Sequence, residues 1–274
     1  MSVLTERPAA GHRPPAIEDQ KRRQVEYHER EHYRASRPRS VDNSHPFIAW
    51  VNTFRLRTAL RMIGEPLAGK TVLTVCGGDG EEADFLQRLG SNVTTTDLSG
   101  VAVQAARLRN PDLHCVRMDT ERLAFPDRSF DWVFVRDGLH HLARPLKGLY
   151  EMERVSREGF VVLEGQDSFA VRLLVKLGSG DWDPAGGYVY RFTRRDILKI
   201  FQSVQTVEKS RISTAWLLPG SDALTYFPFI RRFVYPVIRN RLIGRLATSA
   251  LRMLVVGFNL LAGRWGNGLV VVAW

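Results

Sequence analysis

A turn of glycines followed by an acid is the part of the sequence whose residue types could bind a nucleotide-like ligand. The turn, Cys76-Gly77-Gly78-Asp79-Gly80, follows a short apolar run and leads directly into a helix-like segment. Glycines let the backbone turn sharply and let a ligand approach the main chain closely. Asp97 closes the next β-branched run, where an acid can accept hydrogen bonds from both hydroxyls of a ribose. Together, the turn and Asp97 predict a ligand that contains adenosine.

The segment after the turn begins with an acidic cluster that consists of Asp79, Glu81, Glu82 and Asp84. A helix N-terminus attracts anions such as the pyrophosphate of a dinucleotide, but these acids would repel a phosphate. They suit a ligand that carries an ammonium and a sulfonium, so they favour S-adenosylmethionine over NAD. Acids also interact favourably with the dipole of any helix at this end, which is the plainer interpretation of each one singly.

Strand-like and helix-like segments alternate along most of the chain and must position these residues. Apolar or β-branched runs predict strands at 71–76, 92–96, 113–117, 130–135, 160–163, 204–207 and 269–273. Helical spacing predicts helices at 47–63, 81–89, 100–109 and 146–155. Such alternation is typical of a parallel sheet with helices on both faces. We therefore predict an α/β, Rossmann-like fold with a seven-stranded, mostly parallel sheet, whose strand ends bring the turn and Asp97 together.

The rest of the chain divides by composition into a tail, a cap and an insertion. Residues 1–19 are rich in Pro, Ala and charge and are expected to be a disordered N-terminal tail. Residues 20–66 are expected to form an N-terminal helical cap, and 67–274 the ligand-binding domain. An aromatic, arginine-rich stretch at 217–263 is longer than an ordinary connection, which predicts a helical insertion before the last strand.

The ordered motifs resemble those of class I S-adenosylmethionine-dependent methyltransferases, in the small-molecule branch that includes ubiquinone/menaquinone-type enzymes. Residues 72–80 (VLTVCGGDG) are similar to the first motif of that family, and 95–99 (TTDLS) to its ribose motif. Residues 118–131 resemble its third block, and Leu139-His140-His141-Leu142 continues the pattern. The resemblance implies methyl transfer from S-adenosylmethionine to a small acceptor.

The cofactor-binding residues follow partly from the resemblance, which implies that Asp119 contacts the adenine amino group. Arg136 and Asp137 follow the fourth predicted strand, at the sheet edge where ligands bind, and are expected at the methionine end. The expected set is Tyr33, Thr74, Cys76, Gly77, Gly78, Gly80, Asp97, Leu98, Asp119, Thr120, Arg136 and Asp137; no metal site is expected. Two positions depart from the family pattern, because Thr74 replaces an acid that helps to hold the methionine ammonium and Cys76 replaces a glycine. These departures keep two alternatives open: a cofactor-binding scaffold or regulatory protein without methyl transfer, and a SAM enzyme with non-methyl chemistry.

Two adjacent histidines are the candidate catalytic residues. His140 and His141 follow the fourth predicted strand, at the sheet edge where open α/β folds bind ligands. Imidazole titrates near neutral pH and can serve as a general base, and we favour His141 for this role. The expected acceptor is hydrophobic and quinone-like, lipid-linked or another natural product, with oxygen favoured as the target atom and carbon or nitrogen open.

The formal charge of +10 is concentrated late in the chain. Residues 219–264 contain seven arginines and one acid, Asp222. Three interpretations of the 217–263 insertion stay open: a lid over an apolar acceptor, an interfacial membrane element, and a dimerisation surface. We expect no nucleic-acid partner, because basic charge alone is nonspecific. Two cysteines form no disulfide framework and residues 1–15 lack the apolar core of a signal peptide, which favours a cytoplasmic protein, with membrane association open.

Overall fold

The computed structural model contains a seven-stranded sheet with helices packed against it. It describes residues 17–31, 46–176, 182–183, 187–188, 190–203, 207–215 and 241–274. The strands are β1 Thr71–Val75, β2 Asn92–Asp97, β3 His114–Arg117, β4 Phe130–Arg136, β5 Ser156–Gly165, β6 Trp182–Asp183, β7 Gly187–Tyr188, β8 Ser210–Ala215 and β9 Gly268–Ala273. The helices are α1 Ile17–Glu31, α2 Pro46–Ile63, α3 Glu81–Arg88, α4 Gly100–Arg109, α5 Pro145–Val155, α6 Phe169–Lys176, α7 Arg194–Ser203 and α8 Arg241–Ala262.

The order of the sheet is β3-β2-β1-β4-β5-β9-β8. Strand β9 runs in the direction opposite to that of the other six strands. This order confirms the expected Rossmann-like α/β fold. Chain order reverses between β1 and β4, so that a crevice opens beyond their carboxyl ends, which is where open α/β sheets bind ligands. The loops after β1 and β4 therefore face each other at this point.

Alternating burial along each strand divides the core into two layers. Trp132 and Phe134 of β4 pack on one face of the sheet with residues of α2, α3 and α4. Val133 and Val135 pack on the other face with residues of α5 and α7. Because side chains alternate along a strand and both sides of β4 are apolar, the strand needs helices on both faces. The predicted two-sided cover is confirmed.

Several boundaries differ from the sequence expectation. The helix α1 begins at Ile17, so residues 17–19 belong to the cap and not to the tail, while residues 1–16 lie outside the described residues. Of the strand expected near 204–207, residues 204–206 lie outside the described residues and Val207 is in no strand; the sheet contains β8 at Ser210–Ala215. Serine, threonine and arginine dominate β8, which explains why a search for apolar runs missed it.

The helical insertion before the last strand is confirmed for its second half. Helix α8 fills Arg241–Ala262 and ends in a short 3₁₀ turn, Gly263–Trp265, that leads into β9. Residues 216–240 lie outside the described residues. Among the helices that the structure describes, none is both long and apolar enough to cross a bilayer.

Candidate active site

The glycine turn after β1 is held in place by its own backbone. The amide of Gly77 donates to the carbonyl of Thr96 at 2.9 Å, and the amide of Gly80 to the carbonyl of Gly77 at 2.9 Å. A Cβ at Gly77 would lie 2.1 Å from the hydroxyl oxygen of Thr95. Gly80 has φ +75°, and a Cβ there would lie 2.9 Å from that of Ala106. Both positions need glycine because the turn is pressed against β2 and α4.

Asp97 joins the glycine turn to the loop after β2. One carboxylate oxygen accepts from the amide of Gly78 at 2.9 Å, and the other from the amide of Ser99 at 2.8 Å. Burial raises the pKa of Asp97 above its ordinary value, although the Ser99 and Gly78 amides oppose this shift. Since a carboxylate has about four lone-pair sites, these two amides do not use the full acceptor capacity of Asp97.

The acids around the start of α3 already have cationic partners within the chain. Arg109 binds the Asp79 carboxylate and also donates to its backbone carbonyl at 2.9 Å. Arg88 contacts Asp84 at 2.8 Å. From the sequence, these carboxylates were expected to be available to a cationic ligand. The ion pairs with Arg109 and Arg88 show that Asp79 and Asp84 are already paired within the chain. Because arginines partly neutralise these acids, they repel a phosphate less strongly than four unpaired carboxylates would.

The two remaining acids of this cluster share one arginine from the end of β4. Arg136 donates to Glu81 at 2.9 Å and contacts Glu82 at 3.1 Å. Arg136 had been expected to contact the cofactor, and here its side chain ties β4 to α3. Burial raises the pKa of Glu82 to about 7, against the attraction of Arg136. Glu82 is therefore the acid of the cluster whose charge depends on pH near neutrality.

We expect Glu82 to make the protein less stable as the pH rises through a defined window. The folded state holds a proton on Glu82 up to pH about 7, whereas the ordinary value for the unfolded state is 4.5. Between these values the folded state binds more protons, so the free energy of unfolding falls with pH, by about 3 kcal/mol in total. Urea unfolding of wild type and Glu82→Gln from pH 5 to pH 8 measures this.

The wild-type free energy of unfolding should fall relative to that of Glu82→Gln as the pH rises, and the difference should level off above pH about 7. Glu65→Gln, in an exposed loop, controls for the loss of one negative charge. Parallel curves for wild type and Glu82→Gln would contradict the assignment.

Thr74 and Cys76, the two departures from the family pattern, both have partners inside the domain. The buried hydroxyl of Thr74 donates to that of Thr95 at 2.8 Å. Cys76 adopts φ 51°, and its sulfur lies 3.3 Å from the hydroxyl of Thr120. Burial raises the pKa of the Cys76 thiol far above its ordinary value, so the group is a thiol and not a nucleophilic thiolate. Two of the expected cofactor residues, Cys76 and Thr120, thus contact each other.

Cys76 is accommodated by the absence of a side chain at Gly138, in the facing loop after β4. A Cβ at Gly138 would lie 2.4 Å from the Cβ of Cys76 and 3.1 Å from its sulfur. We expect Gly138→Ala to lower the free energy of unfolding by about 1–3 kcal/mol, the usual cost of overpacking. In a Cys76→Gly background the same change should cost less. Urea unfolding of the four proteins gives the coupling, and purely additive effects would contradict this packing.

The helix α2 reaches the same crevice through a residue that sequence analysis missed. The guanidinium of Arg55 makes a two-pronged contact with the carboxylate of Asp137, one prong at 2.7 Å. Asp137 has φ 50° and donates its amide to the carbonyl of Leu163 at 2.8 Å. Although burial acts against ionisation, Arg55 holds the pKa of Asp137 below its ordinary value. Nothing in the spacing of α2 distinguishes Arg55 from its other arginines.

The helix α1 covers the ends of β2 and β3. Lys21 contacts Asp119 at 2.5 Å and Glu121 at 3.2 Å, and both its contacts are largely buried. Further along the helix, Glu29 accepts from the hydroxyl of Ser99 at 3.0 Å. The helix thus lies over the place where the resemblance puts adenine and ribose. Sequence analysis missed Lys21, because a lysine in a charged helix gives no sign of a partner so distant in the chain.

Of the expected cofactor residues Leu98 and Tyr33, the structure describes only Leu98. Leu98 is half-buried in the loop after β2, and its carbonyl accepts from Arg117 at 2.9 Å. Tyr33 lies outside the described residues. The loops after β1 and β2 hold five of the expected residues: Gly77, Gly78, Gly80, Asp97 and Leu98. The loop after β4 faces them and brings Gly138 close to Cys76.

The histidine pair lies in a 3₁₀ turn after β4, Leu139–His141, beside a buried acid from β5. Nδ1 of His140 lies 2.7 Å from one carboxylate oxygen of Glu164, and the amide of Leu139 donates to the other oxygen at 2.7 Å. The rings of His140 and His141 lie 4.0 Å apart. Glu164 is 1% exposed. An acid on Nδ1 fixes the orientation and tautomer of the imidazole, so this geometry favours His140 where the sequence favoured His141.

The chain is similar in sequence to known methyltransferases over its central part. Residues 73–163 match the protein family described as methyltransferase domain. Demethylmenaquinone methyltransferase of Beutenbergia cavernae is 38% identical over 91 residues, which cover 33% of this chain and 38% of that protein. A ubiquinone/menaquinone biosynthesis C-methyltransferase of Citrobacter koseri is 30% identical over 144 residues, covering 44% of this chain and 57% of that protein. The chain therefore matches less than two thirds of the length of these curated relatives.

Solved structures share the fold over more of the chain. Phosphoethanolamine N-methyltransferase 2 of Haemonchus contortus, solved with S-adenosyl-L-methionine, has a TM-score of 0.58 at 15% identity over 91% of this chain and 59% of that chain. A SAM-dependent methyltransferase from Archaeoglobus fulgidus has a TM-score of 0.53 at 14% identity, covering 90% of this chain and 97% of that chain. At this identity the solved structures show a shared fold, and the family match over residues 73–163 confirms the resemblance to class I SAM-dependent methyltransferases there.

Proposed function

We propose that this chain transfers a methyl group from S-adenosylmethionine to a small, hydrophobic acceptor with an ionisable hydroxyl. The observation that carries the proposal is Asp97, whose carboxylate links the glycine turn to the loop after β2 and retains acceptor capacity beyond these contacts. A ribose presents two neighbouring hydroxyls to an acid in this position. The methyltransferase-domain match over residues 73–163 supports the same ligand.

The residues around the crevice fit this cofactor in most respects. Glycine at 77 and 80 lets the turn pack tightly on β2 and α4, and this holds the amide of Gly78 beside the carboxylate of Asp97. At the other end, Asp119 already binds Lys21, so an adenine amino group would share this carboxylate or displace the lysine. Asp137 follows the end of β4, where the methionine portion of the cofactor is expected, and Arg55 of α2 contacts it there.

The chemistry divides between the cofactor and the protein. Bound S-adenosylmethionine supplies an electrophilic methyl group. His140 accepts the hydroxyl proton of the acceptor on Nε2, while Glu164 holds Nδ1 and stabilises the imidazolium that forms. Once its proton is lost, the acceptor oxygen would keep the electron pair of its O–H bond and could form a bond to the methyl carbon that S-adenosylmethionine would supply, with the sulfur keeping the electrons of the broken sulfur–carbon bond. Orientation of the acceptor in line with that bond supplies much of the rate.

The target atom is an oxygen or a carbon of this acceptor. Loss of the hydroxyl proton from a phenol or quinol makes both its oxygen and its neighbouring ring carbons nucleophilic, so the same base serves either outcome. Oxygen is our preference from the sequence. Carbon is supported by the names of the curated relatives, which include a C-methyltransferase of quinone biosynthesis.

Calorimetric titration with S-adenosylmethionine and with NAD tests the proposal. We expect binding of S-adenosylmethionine and weaker or no binding of NAD; the reverse order would overturn it. Incubation with methyl-labelled S-adenosylmethionine and a panel of phenols, quinols, sugars and lipids then identifies the acceptor. Transfer of label to a quinol or phenol is the expected result.

A second candidate function is a SAM-binding protein without methyl transfer. It is favoured by Thr74 and Cys76, because the first offers no charge to the methionine ammonium and the second puts a side chain against Gly138. Restoring the family pattern with Thr74→Asp and Cys76→Gly should then raise cofactor affinity. Label transfer to any acceptor by the wild-type chain would exclude this candidate.

A further inference from the structure

Helix α8 carries a row of apolar side chains that point away from the domain. Leu246, Met253 and Leu260 follow one another at seven-residue intervals, so they share one side of the helix. Their exposed fractions are 76%, 70% and 83%. Val256, on the same side, is 43% exposed. A surface helix ordinarily turns such a row toward the core.

Two polar side chains of α8, each one position before a member of this row, lie toward the domain. The guanidinium of Arg252 lies 5.5 Å from the ring centre of Trp50 in α2. Asn259 is half-buried, and its side chain is close to Gly263. Among the side chains of α8 that the structure describes, these two polar groups thus lie against the domain while the apolar row is exposed. The exposed row is therefore available to something other than the core of this domain.

The apolar surface continues beyond the end of α8. Leu261 is 84% exposed, Trp265 45% and Phe169 75%. The hydroxyl of Ser168 donates to the carbonyl of Trp265 at 2.8 Å, which holds the start of α6 beside the turn after α8. The guanidinium of Arg264 lies 4.3 Å from the ring centre of Trp265. We call this surface the apolar face; it consists of Leu246, Met253, Val256, Leu260, Leu261, Trp265 and Phe169.

The apolar face borders the edge of the sheet that carries the candidate active site. Strand β5 ends at Gly165, directly after Glu164, and β9 begins beside it at Gly268. The amide of Gln166 donates to the carbonyl of Asn267 at 2.8 Å, which joins the two loops at this edge. The end of α8 and the start of α6 thus lie next to the strand end that positions His140.

The charge around the apolar face determines what can cover it. Helix α8 and the turn after it, residues 241–265, contain four arginines and no acid. A second copy of the chain, packed face to face through a two-fold axis, would bring two arginine-rich segments together. An anionic lipid surface offers the complementary charge, and interfacial helices combine an outward apolar row with arginine and tryptophan in this way.

We propose that α8 and the adjoining apolar face bind the surface of an anionic lipid bilayer. The apolar row enters the boundary between headgroups and acyl chains, and the net positive charge of residues 241–265 attracts the lipid phosphates. Binding to the bilayer does not depend on methyl transfer. It rests on the proposed function only in one consequence, namely that a membrane-dissolved acceptor would enter the site from the adjacent bilayer.

Sedimentation with vesicles tests the proposal on the full chain. We expect the protein to sediment with vesicles that contain phosphatidylglycerol and to stay in solution with pure phosphatidylcholine, and binding to weaken as salt rises above about 0.1 M. Leu260→Glu should weaken binding at least about tenfold, because it removes a leucine that would be buried in the bilayer and puts a negative charge there. Leu108→Glu is the matched control, since Leu108 on α4 is 79% exposed.

Three outcomes would overturn the proposal: no sedimentation with anionic vesicles, equal loss of binding in Leu260→Glu and Leu108→Glu, or a dimer by light scattering that only Leu260→Glu dissociates. Calorimetry with S-adenosylmethionine on the same variants separates the two proposals. Unchanged cofactor binding in Leu260→Glu, together with lost vesicle binding, supports the lipid surface. A wild-type chain that binds vesicles but no cofactor contradicts the proposed function and leaves the lipid surface supported.

Discussion

Replacement of Asp97 by alanine is expected to reduce the affinity for S-adenosylmethionine at least about 100-fold. Two charge-assisted hydrogen bonds to the ribose hydroxyls would be lost, and at about 1.5–3 kcal/mol each they amount to at least about 3 kcal/mol. The variant also loses the acceptor that holds the amides of Gly78 and Ser99. The glycine turn would then be less well positioned, which adds to the loss. Calorimetric titration of the cofactor measures it.

Two further variants separate the direct contact from the effect on the turn. Asp97→Asn keeps the shape and one oxygen acceptor but loses the charge, so its affinity should lie between those of wild type and Asp97→Ala. Asp112→Ala is the matched control, because Asp112 is exposed in the turn before β3. Wild-type affinity in Asp97→Ala would remove this carboxylate from the site and take away the main support of the proposed function.

Replacement of His140 by alanine is expected to lower kcat about 10²–10⁴-fold without changing the affinity for the cofactor. The expectation depends on the contact between Nδ1 of His140 and the buried Glu164, which orients Nε2 as the proton acceptor. Removal of the base should also remove its contribution to the pH dependence of kcat. Label transfer to the acceptor identified by screening, measured from pH 5 to pH 9, gives both quantities.

Glu164→Gln tests the positioning role of the acid, because the amide still fills the space and can accept from Leu139. We expect kcat to fall and its pH dependence to shift, while the cofactor still binds. His141→Ala distinguishes the two histidines, and His114→Ala, an exposed residue on β3, is the control. A larger loss of kcat in His141→Ala than in His140→Ala would restore the assignment made from the sequence. Wild-type kcat in both would exclude a histidine base.

The parts of this molecule that sequence reasoning predicted are those determined by local pattern. Apolar runs such as Phe130–Arg136 identify buried strands because both faces of the strand are covered. The glycine turn and Asp97 were predicted from residue type and from their places at strand ends. These features depend on neighbours in the chain, and a single sequence contains that information.

The parts that were missed depend on contacts between distant segments. Arg55 meets Asp137 and Lys21 meets Asp119 only after helices α1 and α2 pack over the sheet. Glu164 was missed because the predicted fifth strand ended one residue before it, although a buried acid at a strand end is a signal that could have been used. The acids around α3 were judged by their number alone, while the structure pairs them with arginines.

The position of β9 has a consequence for synthesis on the ribosome. This strand is fully buried and pairs with β5 on one side and β8 on the other, although both precede it in the chain. Until β9 has left the exit tunnel, the backbone groups of β5 and β8 that it will pair with have no strand between them. Open strand edges of this kind invite chaperones or misassociation. We therefore expect nascent chains that stop before Gly268 to be recovered with chaperones, and chains that include β9 to be released.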